Sequence, residues 1–312
     1  MISSVFGKTK PVNYILVLAF LTVLFWVCRL WLYPGEARPQ NPVEALVPMA
    51  ALLLSVFLLN FIVQRNQLTA THSYVILLFA LLVLTFPKVL LDPDGLLGHF
   101  FVLLGLRRLI SLRSLKATRY KVFDATLWFL VASLFIPWAL LYLLLCWVFV
   151  YVFEPRSLRT WLVPLAAMAV FGLLALAWAL QWGDLDFFRE HYQFRGIRWD
   201  GVWEQWDQHL RLGGFSFLVL AASGVAFLRL GKSGQGRIVV MRLTVLAFLL
   251  SMAVVLLETG QGAHVELLAF FPGATLMSKY LETLKKEKML EAVLIGLTLA
   301  AAAVFATQWV LK

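Results

Sequence analysis

Long runs of uncharged, apolar residues recur along this chain, and the run from Ala125 to Phe153 is the longest. One helix over that run would measure about 44 Å, whereas the hydrocarbon core of a bilayer is about 30 Å thick. Lys121 precedes the run, and Arg156 follows it. Because positive charge marks the cytoplasmic side of a membrane, both ends are expected on that side, and Pro137 favours a turn between them. The run is therefore predicted to be a hairpin of two short helices.

The composition defines the class of protein. Hydrophobic residues make up 62% of the chain and charged residues 14%, which leaves too little polar surface for a water-soluble domain. The net charge of +10 comes from short basic clusters between apolar runs, so it indicates membrane topology and not nucleic-acid binding. Cys28 and Cys146 both lie inside apolar runs, so neither a disulfide framework nor a cysteine metal site is expected. No cofactor is predicted.

The fold is predicted to be an all-α, polytopic transmembrane bundle that forms a single integral membrane domain over residues 1–312. About eleven membrane segments are expected from runs long enough to span the hydrocarbon core. Most of the 27 lysines and arginines then fall on one side, which predicts the N-terminus inside and the C-terminus outside. The predicted segments are 13–33, 43–63, 73–91, 95–112, the two halves of 125–153, 161–181, 213–230, 238–257, 264–281 and 289–311.

Aromatic residues concentrate in the 183–211 loop, which is predicted to be external and to contain short amphipathic helices. Trp199, Trp203 and Trp206 recur at helical spacing, and Tyr192 stands upstream. Tryptophan favours the membrane interface, so these helices are expected to lie on the outer surface. The alternative is an aromatic lid in which the same four residues bind a lipid-linked substrate.

Carboxylates and an imidazole are predicted at the same external face. Asp92 and Asp94 lie in LLDPDGLLG, and Glu258 and His264 lie in LLETGQGAHVELL. These four residues are candidates for acid–base catalysis, although Asp-Pro-Asp-Gly is also typical of a turn. His264 and Glu266 are two residues apart, so on one helix their side chains would point away from each other. No metal site is predicted.

The segment 105–121 is the most basic on the predicted inner face. As a helix it would place leucines beside Arg107, Arg108, Arg113 and Lys116. Such a helix is suited to lie along anionic lipid headgroups, and docking of an acidic partner protein is the alternative.

Three stretches carry a resemblance to a known family. They are MISSVFGKTKPVNYILV, FVLLGLRRLISLRSLK with FDATLWFLVASLF, and HVELLAFFPGATLMSKYLE. Together they resemble an uncharacterised family of polytopic inner-membrane proteins common in Bacteroidota, a domain of unknown function. The resemblance implies a multi-pass protein of the bacterial inner, or cytoplasmic, membrane, and it implies no catalytic residues.

Two functions are compatible with these features. Because no charged group falls in the middle of a predicted span and no motif has catalytic spacing, the sequence favours a subunit or scaffold of a membrane or cell-envelope assembly with membrane-protein partners. The alternative is an enzyme or carrier for a lipid-linked substrate of the polyprenyl-linked glycan type at the external face. That alternative is similar in architecture to membrane glycosyltransferases and glycan polymerases. Whether the protein is an enzyme is open at this point.

Overall fold

The computed structural model describes residues 2–35, 43–182, 185–194, 206–229, 235–259, 263–284 and 286–310. Within these ranges the chain is helical and contains no strand, which confirms the all-α prediction. The helices are α1 (Ile2–Phe6), α2 (Pro11–Val27), α3 (Leu46–Arg65), α4 (Tyr74–Thr85), α5 (Pro93–Ile110), α6 (Thr118–Ser133), α7 (Leu143–Phe153), α8 (Leu158–Trp182), α9 (Leu185–His191), α10 (Trp206–Arg229), α11 (Gln235–Thr259), α12 (Leu267–Glu282) and α13 (Glu287–Val310).

In the described part of the chain, seven helices are long and apolar enough to cross a membrane. Apolar helices of this length indicate a polytopic membrane protein, because a helix needs about 20 such residues to span the hydrocarbon core. The seven stretches are Pro11–Leu32, Leu46–Arg65, Pro93–Ser114, Leu158–Gln181, Trp206–Arg229, Ile238–Glu258 and Glu287–Val310. Tyr74–Thr85 and Pro137–Phe153 are shorter apolar helices.

The long apolar run divides into two helical parts, as predicted. Helix α6 ends at Ser133, and a 3-10 helix that begins at Pro137 leads into α7. Ile136, just before the proline, has the extended backbone that this position favours. The two parts lie side by side, since the Thr126 hydroxyl is 3.5 Å from the sulfur of Cys146. The break therefore follows from the proline and from the length of the run.

Hydrogen bonds between helix ends show which of these ends lie together at each end of the helix bundle. At one end Glu291 accepts from the backbone amide of Ser3 at 2.9 Å, and at the other the Tyr33 hydroxyl donates to Gln308 at 3.1 Å. We call the first the basic end, which contains residues 2–10, 65–73, 107–121, 154–160 and 279–291 except 285. We call the second the opposite end, which contains residues 29–35, 86–95, 133–138, 185–194, 206–211, 258–259 and 263–266.

A buried arginine joins two helical segments at the opposite end. Arg29 is 4% exposed, and its Nε donates to the carbonyl of Leu90 at 3.1 Å while Nη2 lies 3.5 Å from the carbonyl of Leu91. Its guanidinium also stands 4.6 Å from the centre of the Phe25 ring. These carbonyls lie at the C-terminal end of the short 3-10 helix Pro87–Leu90, where no following turn supplies backbone amides as hydrogen-bond donors. Arg29 therefore supplies the missing donors.

Helices α5 and α6 pack closely because one contact position is a glycine. A Cβ atom at Gly105 would lie 2.3 Å from Cε1 of Phe129, whose ring is fully buried. Only a residue without a side chain fits there unless the ring moves. This contact fixes the position of α6, which carries one wall of the site described below.

Candidate functional site

Asp92 joins the beginning of α5 to the segment before α12. Its Oδ1 accepts from the amide of Gly95 and its Oδ2 from the amide of His264, both at 3.0 Å. The first bond is a helix N-cap, which satisfies an amide that has no partner within the helix. Two of the predicted external segments are thus brought together, and the Asp92 carboxylate positions them.

Glu258 lies in the last turn of α11 and is 4% exposed. Its Oε1 accepts from the backbone amide of Trp138 at 3.0 Å. That amide belongs to the first turn of the 3-10 helix that begins at Pro137, where backbone amides lack helical partners. Glu258 therefore holds the tip of the α6–α7 hairpin.

Helix α9 and the residue after it contact the same hairpin tip through the predicted candidate Tyr192 and through His191, which the sequence analysis did not single out. His191 Nε2 donates to the carbonyl of Ser133 at 2.8 Å, and the Tyr192 hydroxyl lies 2.9 Å from the Ser133 hydroxyl. A protonated His191 would attract both Asp94 and Glu258. We call Asp92, Asp94, His191, Tyr192 and Glu258 the polar cluster.

Tyr192 is a neutral phenol in this cluster. Burial raises the pKa of Tyr192, and the hydrogen bond with Ser133 lowers it by a smaller amount. An ordinary tyrosine pKa of about 10 is already far above neutral pH, so the raised value keeps the proton in place. The hydroxyl can therefore donate as well as accept a hydrogen bond.

An apolar groove of about 700 Å³ lies between α6 and α8. Its lining residues on α6 recur every three or four positions, which places them on one face of that helix. From Asp124 to Leu134 this face is about 15 Å long at 1.5 Å per residue. The groove is lined by Arg108, Asp124, Leu127, Trp128, Val131, Leu134, Phe171, Leu174, Ala175, Trp178, Phe187 and Phe188.

The groove ends at two phenylalanines that stack on residues of the polar cluster. Phe187 stacks on His191, with ring centres 5.3 Å apart and an angle of 11° between the planes. Phe188 stacks on Tyr192, at 6.5 Å and 7°. Because Phe187 and Phe188 also line the groove, the apolar space ends against the aromatic residues of the cluster.

A second polar contact lies on the other side of Asp92. Glu266 is 2% exposed, Gln208 donates to its Oε1, and His264 Nδ1 is 3.9 Å from the same oxygen. On one helix the side chains of His264 and Glu266 would point apart. They meet because α12 begins only at Leu267. Among the described residues, no group of three or more His, Cys, Asp or Glu could hold a metal ion.

The predicted aromatic loop is described only in part. Trp199 and Trp203 lie outside the described residues. Trp206 is exposed and opens α10, which continues into the predicted span without a break, so it does not belong to a separate surface helix. Of the four aromatic candidates, only Tyr192 has a described place in the polar cluster.

The basic segment 105–121 is not one surface helix. Helix α5 ends at Ile110, a 3-10 turn follows, and α6 begins at Thr118. Leu115 and Ala117 have a left-handed backbone, with φ of 52° at each, which interrupts the helix. The side chains of the four candidate cations consequently lie in different environments.

Only one of these cations lines the groove. Arg108 Nη2 forms an ion pair with Asp124 Oδ2 at 2.9 Å. Arg107 stands 4.7 Å from the ring centre of Phe61, Arg113 donates to a backbone carbonyl of the 65–73 region, and Lys116 is exposed.

The arrangement combines a chain-sized apolar space with groups that can hold or transfer a proton. A carboxylate and an imidazole can act as acid and base when they face the same ligand. Comparison with protein-family models, with curated protein sequences and with solved structures finds no match for this chain.

Proposed function

We propose that the protein is a membrane enzyme or carrier that binds a lipid-linked substrate at the opposite end. The hydrocarbon chain of the substrate would occupy the α6–α8 groove, and its headgroup would meet the polar cluster. The observation that carries the proposal is the stacking of Phe187 on His191 and of Phe188 on Tyr192, which connects the apolar space to the titratable groups. A volume of about 700 Å³ lies within the range of small-molecule sites, roughly 300–1,000 Å³.

The roles within the polar cluster follow from its bonds. Both oxygens of Asp92 accept from backbone amides, so Asp92 positions the site. Asp94 is exposed, and Glu258 has one oxygen bonded to the Trp138 amide. Asp94 and Glu258, both of which interact electrostatically with His191, are therefore the candidates for proton transfer to a headgroup.

The assembly subunit that the sequence favours has weaker support from the geometry. Only 17% of the spanning stretch of α8, and the same share of that of α13, is buried within the protein. Lipid chains can cover such exposed apolar surfaces as well as a partner protein can. The groove and the polar cluster, by contrast, together offer an apolar space for a chain and titratable groups for a headgroup, which favours a ligand.

The proposal includes an orientation in the membrane. Four shorter helical stretches are proposed to cross the membrane as well: α4, α6, Pro137–Phe153 and α12. With the seven longer helices they give about eleven segments, with the N-terminus inside and the C-terminus outside. The basic end would then be cytoplasmic by the positive-inside rule, and the opposite end external. Location in a bacterial inner membrane, and membership of the family common in Bacteroidota, are proposals that rest on the resemblance.

Single cysteines test this orientation. In a variant with Cys28→Ala and Cys146→Ala, Phe194→Cys is expected to react with a membrane-impermeant thiol reagent in intact cells. Tyr120→Cys is expected to react only after the cells are opened, because Tyr120 is 78% exposed at the basic end. Labelling of position 120 from outside would contradict the proposed orientation.

Filling the groove tests the proposed function. Ala175 lines the groove and Ala177, on the same helix, is exposed outside it. Wild-type protein purified in mild detergent is expected to retain a lipid that mass spectrometry detects, and Ala175→Trp is expected to lose it because the indole fills the chain site. Ala177→Trp is the matched control and should retain the lipid. Equal retention by both variants would remove the support for the groove as a substrate site.

A further inference from the structure

The groove has a second end, near the basic end of the bundle, that the proposed function does not use. Arg108 and Asp124 are the charged residues among those that line it. Their side chains form the ion pair described above and are 41% and 36% exposed. A lipid headgroup at that level of the membrane could therefore reach the guanidinium.

The surroundings of this pair are positively charged. Lys121 donates from Nζ to the Ser111 carbonyl and to the Ser114 hydroxyl, both at 2.7 Å. Its charge interacts with those of Arg108 and Lys116. Lys116 and Lys121 therefore add positive charge to the surroundings of Arg108, and this charge complements a phosphate.

Arg108 retains capacity for a ligand. A guanidinium has five N–H donors in a planar arrangement, and the ion pair with Asp124 is formed through Nη2. A phosphate oxygen can accept from the other nitrogens, and arginine suits phosphate because two parallel hydrogen bonds can form.

The length of the groove matches a single leaflet. The wall from Asp124 to Leu134 is about 15 Å long, which is half of a hydrocarbon core of about 30 Å. A chain whose headgroup sits at Arg108 would extend along Trp128 and Val131 as far as Phe187 and Phe188. No charged side chain lines the space between, so a headgroup would not pass along it.

We propose that Arg108 anchors the phosphate of an anionic phospholipid from the leaflet at the basic end, and that the chain of this lipid occupies the α6–α8 groove. Because the groove measures about one leaflet, this lipid and a lipid-linked substrate from the opposite end exclude each other. Anionic phospholipid thereby regulates access to the site. The exclusion rests on the proposed function, whereas the phosphate site at Arg108 does not.

Two lipids with identical chains and different headgroups test the phosphate site. Delipidated full-length protein in detergent is titrated with phosphatidylglycerol and with phosphatidylcholine, and bound lipid is measured by native mass spectrometry. Wild-type protein is expected to prefer phosphatidylglycerol by about tenfold, which corresponds to roughly 1.4 kcal/mol. Arg108→Gln is expected to lose this preference, and Arg119→Gln, an exposed arginine of the same end, is expected to keep it.

A second variant keeps the test decisive if Arg108→Gln folds poorly. Asp124→Asn frees the guanidinium, so the preference for phosphatidylglycerol should rise. Equal binding of the two lipids by wild-type protein, an unchanged preference in Arg108→Gln, or displacement of phosphatidylglycerol by millimolar inorganic phosphate would overturn the proposal. Failure of the proposed function is distinguishable, because co-purification of phospholipid alone, with no lipid-linked compound, would contradict it and leave the headgroup preference intact.

Discussion

Replacing Arg29 with methionine is expected to lower the free energy of unfolding by about 2–4 kcal/mol, although the new side chain is apolar and of similar length. The loss arises because the carbonyls of Leu90 and Leu91, both in buried residues, lose their donor. The contact with the Phe25 ring, which adds roughly 0.5–2 kcal/mol for a desolvated cation, is lost as well. Release of a buried charge offsets part of this cost.

Unfolding in mixed micelles with increasing fractions of sodium dodecyl sulfate measures the change. Arg119→Met is the matched control, since Arg119 is exposed at the basic end and its replacement should change the free energy of unfolding by less than about 0.5 kcal/mol. If Arg29→Met and Arg119→Met unfold at the same detergent fraction, the Arg29 contacts do not stabilise the bundle.

Replacing Glu258 with glutamine is expected to reduce activity in cells by about 100-fold or more, which is the usual contribution of a general acid or base. Glutamine keeps the carbonyl oxygen that can accept from the Trp138 amide, so the hairpin tip should stay in place. It cannot exchange a proton at neutral pH. The expected result is therefore a protein that accumulates normally and does not restore function to a strain that lacks it.

The control is Glu190→Gln, the same chemical change at an exposed position of α9. Glu190→Gln should restore function fully. Mass spectrometry adds a second measurement, because an inactive site that still binds its substrate should retain more of it than the wild-type site. Full function of Glu258→Gln would exclude a proton-transfer role for this carboxylate and favour the assembly subunit.

Some features of the fold follow from local sequence alone. The run from Ala125 to Phe153 is too long for one span and contains Pro137, so its division into two helices could be predicted. Asp-Pro-Asp-Gly is typical of a turn, whereas in the structure Asp92 caps α5, which begins at Pro93. The division at Pro137 could be predicted because a proline acts on its own neighbours, whatever lies around them.

Contacts between segments that are distant in the sequence could not be predicted from local sequence patterns. Arg29 meets residues about sixty positions later in the chain, and His191 meets Ser133 across three helices. Buried carboxylates at Glu258 and Glu266 were also not expected from the sequence. Each depends on which helix ends are adjacent, and no local pattern encodes that.

What the sequence by itself determined is the class of protein: an all-α chain of apolar helices with its basic residues clustered between them. What only the tertiary structure decided is the groove and its connection to the polar cluster. Leu127 and Val131 on α6 and Leu174 on α8 line the groove, yet they resemble the many apolar residues that face lipid. In a bilayer a helix is apolar on every side, because lipid chains and neighbouring helices are equally apolar, so hydrophobic periodicity does not identify the face that borders a binding site.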